Sequence, residues 1–131
     1  MRVCDFFKKG MIVSALLTLT LGVGYTKETR CGWYTNSSPD NLSLTDKAGT
    51  WWITSQNEAN GPDAKNAEKA PEFDPNQFIE TNVPGTGYGY GCACLKVETQ
   101  ATTHRITVVY SGKVLPLSVC KKDKSLQSPE E

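Results

Sequence analysis

Cys92 and Cys94 stand two residues apart inside the run YGYGCACLKVE, residues 88–98. Alternate side chains of a strand leave from the same face, so both thiols point the same way. A bridge between them would close a tiny, strained ring. Each must therefore reach another part of the chain, which calls for a fold stapled at two places. The other cysteines are Cys4, Cys31 and Cys120, an odd total of five.

The N-terminus accounts for the odd one. Arg2, Lys8 and Lys9 precede MIVSALLTLTLGVG, residues 11–24, a stretch without charge that ends on small residues. A basic start, a short apolar run and small residues at its end make a secretory signal peptide, with cleavage expected after Gly24. The run falls short of the ~20 apolar residues that span a bilayer, so no transmembrane anchor is expected after cleavage. Residues 25–131 then form the mature domain, in the periplasm or secreted, and Cys4 is gone. Four cysteines in an exported chain imply two disulfides. Cys31 takes either Cys92 or Cys94, and Cys120 takes the other. Closing a loop of the Cys31-to-Cys92 size stabilises by about 4 kcal/mol in the chain-entropy model. That is comparable with the whole net stability of a small domain.

Charge excludes one class of partner. The full chain carries 14 basic and 14 acidic residues, and removal of residues 1–24 leaves 11 and 13. A chain with no basic excess is not expected to bind nucleic acid. The length fits one domain, and 11 Gly, 7 Pro and 12 aromatic residues suit a loop-rich β structure. Seven short strands are expected, at residues 30–35, 41–46, 50–55, 77–82, 88–98, 102–110 and 114–120. The predicted fold is an all-β, single-domain antiparallel sheet or sandwich. Residues 56–76 are polar and broken by prolines, and are expected to form a surface loop with at most one helical turn. Residues 121–131 form a charged, frayed tail.

Within the run 88–98, Tyr88, Tyr90, Cys92 and Cys94 share one face, and Gly89, Gly91, Ala93, Leu95 and Val97 share the other. So many small residues on one face suggest a backbone or a large ring lying flat against it, with Tyr110, Trp51 and Trp52 as candidates. Trp33, Tyr34, Trp51, Trp52, Tyr88 and Tyr90 concentrate the aromatic surface in three segments. Trp51 and Trp52 are adjacent in a strand and must face opposite ways, so one is expected to be a partly exposed platform. The candidate binding residues are Trp33, Trp51, Trp52, Tyr88 and Tyr90.

Catalytic signatures are sparse. The single His104 falls in a strand candidate beside Ile106 and Val108, a packing position more than a general base. The glycine run 85–91 lacks the Gly-Lys-Ser/Thr that follows a phosphate loop. A zinc site from Cys92, Cys94, His104 and Cys120 lacks paired spacing, and an oxidising compartment would capture the thiols first. Glu68, Glu72 and Asp74 suit a solvated face. No metal and no cofactor are expected.

Several segments together resemble the bacterial family known as domain of unknown function 4087. They are Arg30-Cys31-Gly32-Trp33, Leu44-Thr45-Asp46 with Gly49, Trp51-Trp52-Ile53, Tyr88 to Leu95, and Pro116 to Cys120. The resemblance implies a small exported protein of Gram-negative bacteria and implies no activity. The expected function is a non-enzymatic binding module that binds or inhibits another envelope protein, by rigid aromatic anchors and the long loop. Binding of envelope glycan by an aromatic face is the alternative. A hydrolase using His104 with a carboxylate is the third reading.

Overall fold

The computed structural model describes residues 26–39, 41–55, 64–81 and 84–129. The expected signal peptide, with Cys4, lies outside the described residues. Six strands form one mixed sheet: β1 Thr26–Ser38, β2 Asn41–Asp46, β3 Gly49–Thr54, β4 Phe78–Glu80, β5 Gly89–Gln100 and β6 Arg105–Leu115. Among the described residues two short α-helices accompany them, α1 Ala64–Ala67 before β4 and α2 Leu117–Lys122 after β6, with a 3-10 turn at Pro75–Gln77.

The sheet closes on itself. Its order is β1-β2-β3-β6-β5-β4, and β1 also pairs with β5 along its length, Thr26 with Thr99 through Asn36 with Gly89. Among the described residues the β3–β6 seam is the one parallel pairing, held where Trp52 N donates to His104 O at 2.9 Å. With the three-residue β4 set aside, the ring β1-β2-β3-β6-β5 has the connectivity of an OB-type Greek-key barrel. A barrel has an inside and an outside, and alternation sorts the side chains between them.

Inside lie Tyr34, Leu42, Leu44, Trp51, Ile53, Ala93, Leu95, Val97, Ile106 and Val109. Outside, on β1 and β5, Trp33, Tyr90 and Cys92 make a second cluster that α2 covers with Leu117 and Cys120. The two faces of β5 are thus the two faces expected from its sequence. The face of small residues receives the Phe73 ring, which a Cβ on Gly91 would overlap, and Trp51 shares its interior cluster, whereas Tyr110 is exposed.

Both disulfides use the two allowed partners of Cys31 and Cys120: Cys31 bonds Cys94 and Cys92 bonds Cys120. Cys31 lies directly opposite Cys94 in the β1–β5 ladder. The pair two residues apart is therefore used once across the sheet and once out to α2.

Four local expectations are corrected. Residues 111–113 do not turn. They continue β6 against Cys94, Leu95 and Lys96, with register shifts further along the ladder absorbing the twist. Residues 117–120 are helix, not strand, because Pro116 is preset for a helix start and Gln77 Oε1 accepts from Leu117 N at 2.9 Å. Leu126, in the expected frayed tail, packs on the outer cluster. Within the expected surface loop, residues 56–63 are outside the described region, and residues 64–76 are bound to the barrel. Ala67, Ala70 and Phe73 pack on the interior cluster, while buried Asn66 accepts from Val109 N at 3.0 Å and donates to Thr107 O at 3.2 Å. Asn66 satisfies backbone groups of β6 that the sheet leaves over, which polarity alone did not reveal.

Candidate functional site

Burial divides the five aromatic candidates. Trp33, Trp51 and Tyr90 are core residues, at 3–5% exposure, and are not surface anchors. Trp33 meets Tyr90 edge-on at 5.3 Å under α2, so both rings are consumed by the outer cluster. Tyr88 is half-buried, just before β5. Trp52 is 42% exposed. The opposite facing of the adjacent tryptophans therefore holds, with Trp51 inside and Trp52 out.

Trp52 stands at one end of a row of hydroxyls. Across the outer face of three strands, Thr35 opposes Ser43 and Ser43 opposes Trp52. In the next row Thr45 opposes Thr50, and their hydroxyls hydrogen-bond at 3.0 Å. These residues, with Ser37 and the tail at 127–129, line a trough of about 300 Å³. Among the described residues none of its lining is charged. The arrangement offers one flat apolar ring and several short donors and acceptors on rigid strands.

A polar knot closes the barrel beside Trp51. Arg30 Nη1 donates to Asp46 Oδ2 at 2.6 Å, and Asp46 Oδ1 accepts from Ala48 N at 2.8 Å and Trp51 Nε1 at 3.0 Å. Arg30 also lies 3.8 Å over the Trp51 ring, and His104 stacks on the same indole at 4.4 Å. His104 is not in a strand. It is exposed at the end of the 101–104 turn, with φ 51. Among the described residues it forms no ion pair with a carboxylate. Among them, too, no group of three or more His, Cys, Asp or Glu could hold a metal ion.

Partial burial pushes Asp46 up, but its hydrogen bonds from Arg30, Ala48 and Trp51 outweigh that and hold the carboxyl below its ordinary value. A depressed carboxyl contributes stability that is present above its unfolded value of about 3.9 and is lost as pH falls through the folded value. Urea unfolding at pH 6 and pH 3 is expected to show a smaller acid loss in Asp46→Asn than in the wild type. An identical acid loss would remove Asp46 from the account.

A second depression went unforeseen from the sequence. Tyr34, Asn36, Pro71, Phe73, Phe78 and Glu80 are among the residues that line a cleft of about 680 Å³. Its aromatic edge comes from Phe73, 5.3 Å from both Tyr34 and Phe78. The available signal was the pair of phenylalanines in PEFDPNQF, which a merely solvated loop would not need.

Among the described residues no helix is long and apolar enough to cross a membrane. The two disulfides are consistent with an oxidising, exported environment. Comparison with curated proteins and with solved structures gives no match. A family model, described as a protein of unknown function (DUF4087), matches residues 25–127, which takes in both disulfides, Trp52 with the strand residues of its trough, and the cleft. The chain belongs to that family.

Proposed function

We propose that this chain is an exported, non-enzymatic binding module of the cell envelope that holds a glycan strand on its outer face around Trp52. The observation that carries the reading is the exposure of Trp52 at the end of an uncharged row of hydroxyls. A sugar ring has an apolar C–H face that stacks on an indole, and a rim of hydroxyls that pairs with Ser and Thr. Among the described residues no Lys or Arg lines the trough to pair with phosphates, which disfavours nucleic acid. Among the described residues the lining also holds no carboxylate or imidazole, the usual general acids and bases, which favours binding over hydrolysis. In OB-type barrels the face of the second and third strands is a common ligand surface, a likeness of architecture that supports the reading without assigning the ligand.

The anchors expected for a protein partner are largely internal, since Trp33, Trp51 and Tyr90 are buried. This shifts weight from the protein-binding reading to the glycan one at this face. The test is co-sedimentation of the mature, oxidised protein with purified peptidoglycan sacculi. The wild type is expected to pellet, and Trp52→Ala to lose about 2 kcal/mol of affinity, close to thirtyfold, with an unchanged melting midpoint. Equal pelleting by the two proteins, or none by the wild type, refutes the proposal.

A further inference from the structure

Among the described residues the aromatic cleft shares no lining residue with the Trp52 trough. Its chemistry is also different. Residues 71–80, which form most of one wall, carry Glu72, Asp74 and Glu80 and no Lys or Arg. Tyr34, Phe73 and Phe78 contribute ring faces, which attract cations through their quadrupoles. Burial pushes the Tyr34 phenol up to about 12, so it stays neutral.

Two further features narrow the occupant. Asn36 lines the cleft, and its Oδ1 is buried with no hydrogen-bond partner among the described residues. A buried acceptor left unpaired is costly, so a turn of the Asn36 amide that presents it to a donor in the cleft would be favoured. Glu80 uses Oε2 to accept from Gly85 N at 2.8 Å. Beside the cleft, β4 pairs with β5 alone, so among the described residues one of its edges has no strand neighbour. Such an edge can accept an extended peptide as an added strand.

We propose that this cleft is the docking site for a lysine or arginine side chain presented on an extended segment of a partner protein. The cation sits against the Phe73 and Phe78 rings, its N–H groups reach the Glu80 carboxylate, and the flanking backbone runs along β4. A volume of about 680 Å³ exceeds the need of an ammonium group alone, and it suits a side chain with its neighbours. Charge complementarity selects a basic segment over an acidic or purely apolar one.

The test is a titration of the mature, oxidised, ¹⁵N-labelled protein with blocked tetrapeptides bearing arginine, lysine, norleucine or glutamate at one position, and with tetramethylammonium. The basic peptides are expected to shift the amides of residues 73–80 and 89–91, and to bind at least about tenfold more tightly than the norleucine peptide. Glu80→Gln and Phe78→Leu should each weaken the basic peptides by about tenfold, the second by keeping the apolar bulk and removing the ring. If Phe78→Leu does not fold, Glu80→Gln, an exposed position, decides alone. Equal binding of the norleucine peptide, tetramethylammonium binding as tight as the basic peptides, or no shifts with millimolar basic peptide each overturn the proposal.

Discussion

Replacing Cys92 and Cys120 together by alanine is expected to release helix α2 and to cost about 3.5 kcal/mol from chain entropy alone, for a sequence separation of 28. Both sulfurs are buried in the outer cluster with Trp33 and Tyr90, so their loss also leaves a void there. Few other ties hold α2 to the sheet: the packing of Leu117, and the Leu117 amide on Gln77. Six residues of helix have little stability of their own. Hydrogen exchange should therefore lose protection at residues 117–123 first, and Trp33 fluorescence should move toward that of a solvated indole. The Cys31–Cys94 pair behaves differently although it spans 63 residues. Its two ends already face each other in a long ladder, so Cys31→Ala with Cys94→Ala should lower the global midpoint without uncovering one element. Retained protection of α2 in the Cys92/Cys120 double variant would show that apolar packing, not the bridge, holds the helix.

How far the sequence was legible follows from the range of the interactions. The β2–β3 hairpin was readable because its signals are local: Leu42 and Leu44 alternate, and Gly49 supplies the positive φ of 123 that the turn requires. The faces of β5 were readable for the same reason. The choice between Cys92 and Cys94 as the partner of Cys31 was not, because it depends on the register between strands more than sixty residues apart. Helix α2 was hidden in VLPLSVC, where β-branched and apolar residues imitate a strand. Only the tertiary context, with Leu117 and Cys120 three apart on one helical face over Cys92, decides for helix. The cleft was hidden by its own acidic residues and prolines, which read as solvent-exposed loop while Phe73 turned inward onto Gly91. Of the candidate site, the exposed platform was legible as one of two tryptophans. Which of the two depended on the direction in which the sheet closes.

That direction gives adjacent residues opposite consequences. Trp51→Ala is expected to cost about 3–5 kcal/mol, the range for emptying an aromatic position in a core. The indole is 3% exposed, lies between Arg30 and His104, and donates to Asp46. Its loss therefore removes burial, two ring contacts and one of the donors that hold Asp46 ionised. Trp51→Phe should fall between, since a ring remains for Arg30 while the N–H to Asp46 is lost at about 1–2 kcal/mol. Trp52→Ala, one residue on, should change the unfolding free energy by less than about 1 kcal/mol, because its side chain leaves no core void. Its backbone N–H, which holds the seam to His104, is untouched by the substitution. Stability should therefore track Trp51 while glycan sedimentation tracks Trp52. Comparable destabilisation by the two alanine variants would contradict the facing of β3, and with it the identification of the trough as an outer surface.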